Sequence, residues 1–454
     1  MSTDLPFLLA FVATILCILL FAWGGKSKAQ NSDDFSLAGR KAGRWNVFGA
    51  ITGTLVGGAS TIGTAQLAFI YGLSAWWFTL GAGLACLFLG LFLAVPLRHS
   101  HVETIPQFIS HYYGDRARVV ASLFSAMGMF IQIVAQLLAC GAILAVLFNL
   151  SLLWSASISA LVVILFTLGG GMKAAGTTGL IKMALIYLTM LASGWLVLDL
   201  ADGWSQLSAG FPPFPWFSLF GYGVQKGVSD LLSMIVGVIS TQTYLQAIFS
   251  ARDEKTARQG ALLSAVIIPP LGFLGILVGL YMRKIAPDLE SALTLPTFIL
   301  QNFPTALAGI AFATLLIAAV GTASGLALGV ATTLKIDVLK GWLTNHTRGL
   351  LYSRVLTTIV VMLAFVLLLF NLGSAIMDWS FLSMGLRGAT ICFPLLFAVF
   401  LGQYNLSRNG VLAILVAPAC VIVAGIVQFD LLPPLYIGLG VSAALLAVGM
   451  KKRG

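Results

Sequence analysis

Residues 46–70 read NVFGAITGTLVGGASTIGTAQLAFI, an apolar run broken at its middle by Thr52-Gly53-Thr54-Leu55-Val56-Gly57-Gly58-Ala59-Ser60-Thr61. A helix rising 1.5 Å per residue crosses a hydrocarbon core of about 30 Å with roughly 20 residues, so the run is long enough to span. Glycine costs a helix up to about 1 kcal/mol per position, and an unpaired backbone group in lipid costs several more. Both penalties fall at mid-span. Unwound backbone is tolerated there when it lines a site, and close packing through small residues is the other reading. A second such stretch, Gly237-Val238-Ile239-Ser240-Thr241-Gln242-Thr243, interrupts the apolar run 228–249. Broken helices in matching positions point to a central substrate site.

The surrounding chain supports a membrane setting. Of its 454 residues 9% are charged and 59% hydrophobic, with a mean hydropathy of +1.00, against about 25% charged in a soluble domain. Apolar runs near 5–23, 46–70, 73–97, 117–147, 152–168, 176–199, 228–249, 260–281, 304–334, 351–371, 379–402, 410–428 and 432–450 predict an all-α polytopic membrane protein of about thirteen spans. The runs 117–147 and 304–334 are long enough to tilt or protrude. The expected organisation is an anchor helix and loop (1–45), a five-helix set (46–200), an external loop (201–227), a second five-helix set (228–402), and two peripheral helices with a basic tail (403–454). Five is odd, so the two sets run in opposite directions.

Charge sets the expected orientation. Asp4 precedes the first run, where a signal peptide would carry basic residues, and Lys26 and Lys28 follow it; the run reads as an uncleaved anchor with its N-terminus outside. Threading from there gathers most Lys and Arg on one face, including Arg40, Lys41, Arg44, Arg98, Arg116, Arg118, Arg252, Lys335, Lys340 and Lys451-Lys452-Arg453, with Lys226, Arg283 and Lys284 opposite. The crowded face is then cytoplasmic and the C-terminus inside, in a plasma or inner membrane. Topology accounts for the net charge of +10, and no nucleic-acid partner is implied. Cys17, Cys86, Cys140, Cys392 and Cys420 lie singly in apolar spans, without metal or redox spacing. His99, His101, His111 and His346 fall in loops, which leaves no intramembrane His–carboxylate pair and disfavours an enzyme. All fifteen acids map to loops or helix ends. Loops 201–226 and 283–303 are too short to be domains; the second is bounded by prolines and could serve as a lid.

Further motifs stand in a fixed order: Asp34-Phe35-Ser36-Leu37-Ala38-Gly39-Arg40, Gly57-Gly58-Ala59-Ser60-Thr61, Thr104-Ile105-Pro106-Gln107-Phe108, Ser250-Ala251-Arg252-Asp253-Glu254-Lys255-Thr256-Ala257-Arg258 and Ala318-Ala319-Val320-Gly321-Thr322. In that order the chain resembles the sodium:solute symporters over nearly its whole length. The resemblance implies a five-plus-five inverted repeat of the LeuT type and sodium-driven uptake of a small solute by alternating access. It also implies an ion site formed by the carbonyls of Val56, Ala59 and Ala318 and by hydroxyls at positions 321 and 322. The chain departs from that pattern, because Gly321 has no hydroxyl to set beside Thr322. In Gly170-Gly171-Met172-Lys173-Ala174-Ala175-Gly176-Thr177-Thr178-Gly179-Leu180-Ile181-Lys182, the family's aspartate position is Gly179 and its glutamine position is Lys182.

Lys182 stands some six residues inside its span, about 9 Å at 1.5 Å per residue. One reading is snorkelling, its stem carrying the charge towards the interface. The other places its ammonium in the cage, donating to the Val56, Ala59 and Ala318 carbonyls and the Thr322 hydroxyl; three donors and no acceptor suit such a cage. Its small helical neighbours Gly179 and Thr178 favour packing against other helices over lipid. A lysine withdrawn from water can release its proton, so transport would be proton-coupled or sodium-independent. A sodium-coupled symporter with a weakened site, where Val56, Ala59, Ala318 and Thr322 would hold the metal, stays open. So does a membrane sensor on a transporter fold.

On the substrate side, Arg387 is the other charge within a span. Its fork matches a carboxylate; alternatively it pairs with carbonyls, or with Asp378 as an outer gate. Ser60, Thr79, Gln132, Gln136, Thr241 and Gln242 are the neutral candidates, each alternatively an interhelical hydrogen bond. Relatives that carry sugars have Gln, Glu, Asn and Lys where this chain has Gly63, Thr79, Met234 and Ala265, so the resemblance does not extend to a sugar. The expected cargo is a small carboxylate or amino acid, anionic or zwitterionic. No cofactor beyond a coupling sodium ion or proton is expected, the lipid bilayer is the standing partner, and the chain is expected to act as a monomer.

Overall fold

The computed structural model describes residues 4–24, 40–169, 174–339, 349–372, 374–402, 404–405, 407–427, 432–449 and 451–452. The Asp34–Gly39 and Gly170–Lys173 motifs, Lys26, Lys28, Lys340, His346 and Arg453 lie outside the described residues. With no water to satisfy peptide groups in hydrocarbon, the apolar runs form helices. In chain order these are α1 (Leu5–Gly24), α2 (Arg44–Leu55), α3 (Thr64–Tyr71), α4 (Trp77–Phe88), α5 (Ala94–His99), α6 (Ile105–Tyr113), α7 (Asp115–Phe148), α8 (Leu152–Gly169) and α9 (Ala174–Leu200). They continue as α10 (Val224–Val238), α11 (Gln242–Ser250), α12 (Glu254–Ile285), α13 (Thr305–Thr333), α14 (Gly349–Leu369), α15 (Ile376–Phe400), α16 (Ser407–Ile426) and α17 (Pro434–Val448). Among the described residues, the β contacts are a two-residue antiparallel pairing of Tyr404–Asn405 with Lys451–Lys452 and a single parallel bridge between Ala42 and Ala251.

By length and composition, six helical segments among the described residues can cross a membrane, and the pair α10–α11, bent by 42°, makes a seventh. Five shorter apolar helices accompany them, and one of the six segments, Ala59–His99, turns at Gly72. By this measure the described residues carry six or seven spans, and the expected count of thirteen is not established. The longest apolar runs appear as α7 and α13, 34 and 29 residues. Loop 201–226 carries short helices at Trp204–Ser208 and Pro213–Trp216, and loop 283–303 carries one at Thr294–Asn302.

Helix ends on the basic face are defined by side chains. Thr104 and Gln107 form a capping box at α6, with each side chain bonded to the other's N–H, and this satisfies donors that a helix start would leave orphaned. Asp253 caps α12 by accepting from the Thr256 N–H at 2.7 Å, and Thr256 holds that carboxyl below the usual carboxylate range. On this face the entry to α2 and the exit from α11 are tied: the Ala42 N–H donates to the Ser250 carbonyl, the Arg252 N–H donates to the Ala42 carbonyl, and Arg98 Nε donates to the Ala251 carbonyl at 2.5 Å. On the opposite face, Gln66 accepts from the Ile376 N–H at 3.0 Å and donates to Ser291 Oγ at 3.4 Å, fastening α3 to α15 and to the 283–303 loop.

Two acids are more deeply placed than loops or helix ends would have them. Asp337, in the π-helical turn that prolongs α13, is buried and paired with Arg118 of α7 at 2.6 Å, with Ser122 on its other oxygen. Asp230, two turns into α10, is buried against the Tyr222 hydroxyl at 2.8 Å, with Lys226 at 3.8 Å. Each sits close to a cation, which is how burial of a carboxylate is tolerated.

The closest backbone approach is at Gly179 of α9, where a Cβ would collide with the Gly49 carbonyl oxygen of α2. Gly179→Val should therefore lower stability by about 1–3 kcal/mol through overpacking, read as a fall in melting temperature of the detergent-purified protein. Gly325→Ala, where a Cβ meets nothing within 4 Å, should be neutral or gain up to about 1 kcal/mol.

Candidate functional site

The first break can be followed bond by bond. Helix α2 stops at Leu55, and Val56 turns extended (φ −88°, ψ 99°). A continuing helix would send the Gly57 N–H to the Gly53 carbonyl and the Gly58 N–H to Thr54. Instead the Gly57 N–H donates to Ser60 Oγ and the Gly58 N–H to Gln136 Oε1 of α7, both at 2.9 Å. A π-helical turn, Ala59–Gly63, then restarts the chain into α3. The released Gly53 carbonyl faces α9.

Lys182 takes it. Its Nζ donates to Gly53 O at 2.6 Å, to Ala318 O at 2.9 Å and to Thr322 Oγ1 at 3.0 Å, while the Thr322 hydroxyl donates to Ala318 O. The residue is 4% exposed, so the ammonium is turned inward and does not snorkel. Of its four expected partners, Ala318 and Thr322 accept from it; Val56 and Ala59 do not, and the Gly53 carbonyl stands in their place. The reason is local. The break frees the carbonyl one turn before Val56, and the Ala59 carbonyl accepts from Thr64 Oγ1 inside the π turn. Gly179, one turn before Lys182, lets α9 lie close enough for the stem to reach.

The residues do not fit a sodium ion beside the ammonium. Two of the expected oxygens already accept from Nζ, and Gly321 supplies none. A second unit charge at about 4 Å would be repelled by about 4 kcal/mol at an effective dielectric of 20. Among the described residues no group of three or more His, Cys, Asp or Glu could hold a metal. Next to the ammonium, a Cβ on Gly321 or on Gly325 would meet nothing within 4 Å, so the bare edge of α13 borders open space.

The second break centres on Thr241, extended (φ −97°, ψ 120°) between α10 and α11. Arg387 of α15, 0% exposed, reaches it: Nη1 donates to Thr241 Oγ1 at 2.8 Å, Nε to Ser383 O at 3.1 Å, and Nη2 to Ser383 Oγ at 2.7 Å and Met384 Sδ at 3.3 Å. Four neutral acceptors thus face the five N–H groups of the guanidinium. Of the two readings, the geometry is that of pairing with backbone and hydroxyl groups; Asp378 goes to Lys226 at 3.2 Å instead. The side chain lies over Gly128 of α7, where a Cβ would collide with it.

The remaining candidates divide. Gln136 meets the first break through the Gly58 N–H, and Gln132, one turn earlier on α7, donates to Ser380 Oγ of α15 at 3.0 Å. Ser60 is used up within the first break. Thr79 leaves the site: its side chain packs against Gly272 of α12, because α4 turns that face to α12. Gln242 also leaves it, clamping the start of α6 through the Ile105 N–H and the Glu103 carbonyl. Gly53, Ser380 and Ser383 were missed by sequence reasoning. Only Gly53 carried a signal, as the residue four before the first glycine of the Gly57-Gly58 pair.

A family model described as Sodium:solute symporter family matches residues 35–417. The high affinity choline transporter 1 of Homo sapiens is 27% identical over 286 residues, covering 60% of this chain and 49% of that protein. The sodium/glucose cotransporter of Vibrio parahaemolyticus is 20% identical over 377 residues, covering 75% and 69%. The chain thus spans about half the length of the choline transporter it matches. Among solved structures, a Na+-coupled sialic acid symporter in a substrate-bound, outward-open state superposes with a TM-score of 0.79 at 16% identity, covering 99% of this chain and 97% of that one. A nucleobase-cation-symport-1 family transporter in a closed conformation with bromovinylhydantoin bound gives 0.62 at 12%, covering 92% and 94%. At such identities the likeness is one of fold, and the fold is of the LeuT type.

Gln136→Leu leaves the Gly58 N–H without its acceptor at a depth where water cannot replace it. The expected cost is about 1–3 kcal/mol, visible as a lowered melting temperature, whereas Gln136→Glu, which keeps an acceptor there, should lose less.

Proposed function

The chain belongs to the sodium:solute symporter family, and on that premise we propose that it is a secondary active transporter in which the Lys182 ammonium takes the place of the coupling sodium ion. The observation that carries the reading is the set of three neutral acceptors around Nζ, two of which the family resemblance assigns to sodium. A tethered cation that must leave its cage to let the site open can do so by losing its proton. Uptake is then proton-coupled, or at least independent of sodium. The two broken helices open two inverted sets, 46–200 and 228–402, with the site between them. The basic face is cytoplasmic, with the N-terminus outside and the C-terminus inside.

The cargo in this reading is a small anionic or zwitterionic solute. The interior carries two buried cations, Lys182 and Arg387, and among the described residues the ion pairs at Asp230 and Asp337 involve neither. A cation such as choline, which the names of several relatives specify, would meet two like charges in a weakly screened interior. A carboxylate would be drawn in. With four of its five N–H groups bonded within the protein, Arg387 acts through the field it imposes and through the second break it holds.

The test is uptake of labelled small carboxylates and amino acids into proteoliposomes. The expected result is equal uptake in sodium and in potassium, faster with the lumen alkaline, and loss of that pH dependence in Lys182→Gln. Uptake that requires sodium and survives Lys182→Gln would sink the proposal in favour of a sodium-coupled symporter. Tight ligand binding with no uptake under any gradient would favour a sensor.

A further inference from the structure

Among the described residues, five buried side-chain polar atoms lack a hydrogen-bond partner: Arg40 Nη1, Gln132 Oε1, Ser240 Oγ, Thr243 Oγ1 and Ser442 Oγ. Three of them lie on the elements that form or flank the two breaks. Ser240 and Thr243 flank Thr241 in the second break. Gln132 lies on α7 one turn from Gly128, over which Arg387 packs, and one turn from Gln136 at the first break. Thr243 and Met129, the latter three residues before Gln132, both abut Gly329 of α13. A buried orphan acceptor costs about 1–3 kcal/mol, so an acceptor left open between two broken helices calls for a donor.

The orientation of the Gln132 amide follows from its neighbour. The Ser380 hydroxyl has one proton and donates it to the Ile376 carbonyl at 3.2 Å, so it can only accept from Gln132. Nε2 therefore faces Ser380 at 3.0 Å, and the free atom is the oxygen. The other candidates at the centre are internally satisfied: Gln136 Oε1 by Gly58, Ser60 by Gly57 and Thr241 by Gly237 and Arg387.

We propose that Gln132 Oε1 is the specificity-determining acceptor of the site and that the substrate is a small carboxylate bearing an N–H or O–H donor, an amino acid or a hydroxy acid. The donor bonds to Gln132, while the negative end is drawn by the two buried cations. A plain carboxylate leaves Oε1 unpaired, and choline, although it carries an O–H donor, has the wrong charge. The inference rests on the transporter reading above but not on which ion drives transport.

The experiment measures ligand affinity by thermal shift on the purified protein, with two sets of compounds that share a carbon skeleton: alanine, lactate, propionate and alaninamide; and phenylalanine, phenyllactate, phenylpropionate and phenylalaninamide. Choline is the cationic control. The expected result is that an acid with a donor binds about tenfold or more tightly than its donor-free counterpart. That gap should close in Gln132→Leu, persist in Gln132→Glu, which keeps an acceptor, and persist in Ser380→Ala. The proposal is overturned if the donor-free acid binds equally well, if the gap survives Gln132→Leu, if choline binds in place of the acids, or if no compound in either set binds. Because every arm is run with and without sodium, a sodium requirement would count against the Lys182 reading alone.

Discussion

A peptide group released from a helix inside a bilayer has no water to turn to, so each helix break must recruit its partners from other helices. In this chain that demand reaches across the bundle. The Gly57 and Gly58 N–H groups call for Ser60 and for a glutamine on α7, and the freed Gly53 carbonyl draws in a lysine from α9. At the second break it is a side chain, the Thr241 hydroxyl, that accepts from an arginine of α15. Helices α7 and α9 are thus tied to the first break through its released backbone groups, and α15 to the second through a hydroxyl.

How much of this could be read in advance depended on the kind of signal. Apolar length and a glycine-rich interruption are visible in one dimension, and both broken helices stand where they were expected. Lys182 was visible as a charge in an apolar run, and its inward direction was one of two readings, the one favoured by its small neighbours Gly179 and Thr178. The identity of its first acceptor was not visible, because it depends on which N–H defects to Ser60, a choice made by the local turn. Thr79 and Gln242 look from sequence like any polar residue in a core helix. Only the rotation of α4 towards Gly272, and the placing of the α6 start beside α11, turns them to other tasks.

The charges sort by depth. Buried acids lie towards the two ends of the bundle, Asp337 against Arg118 on the basic face and Asp230 against Tyr222 and Lys226 on the other. Buried cations lie at the centre on neutral oxygens, where no salt bridge has to be broken before they move. An ammonium bonded to carbonyls and a hydroxyl gives up a few hydrogen bonds on leaving, whereas separation of a buried ion pair leaves an uncompensated charge and costs about 3–5 kcal/mol. The centre is therefore the easier part of the molecule to rearrange, and the ends the harder.

The tie between Ala42 and the Ser250–Arg252 segment has a mechanical consequence. It joins the basic-face ends of α2 and α11, the inner halves of the two broken helices, through two backbone hydrogen bonds and the Arg98 clamp. Two levers coupled at their outer ends have one degree of freedom between them. A swing of α2 about the Val56 pivot carries α11 about the Thr241 pivot, so strain at one fulcrum is felt at the other without any molecule bridging the space between them.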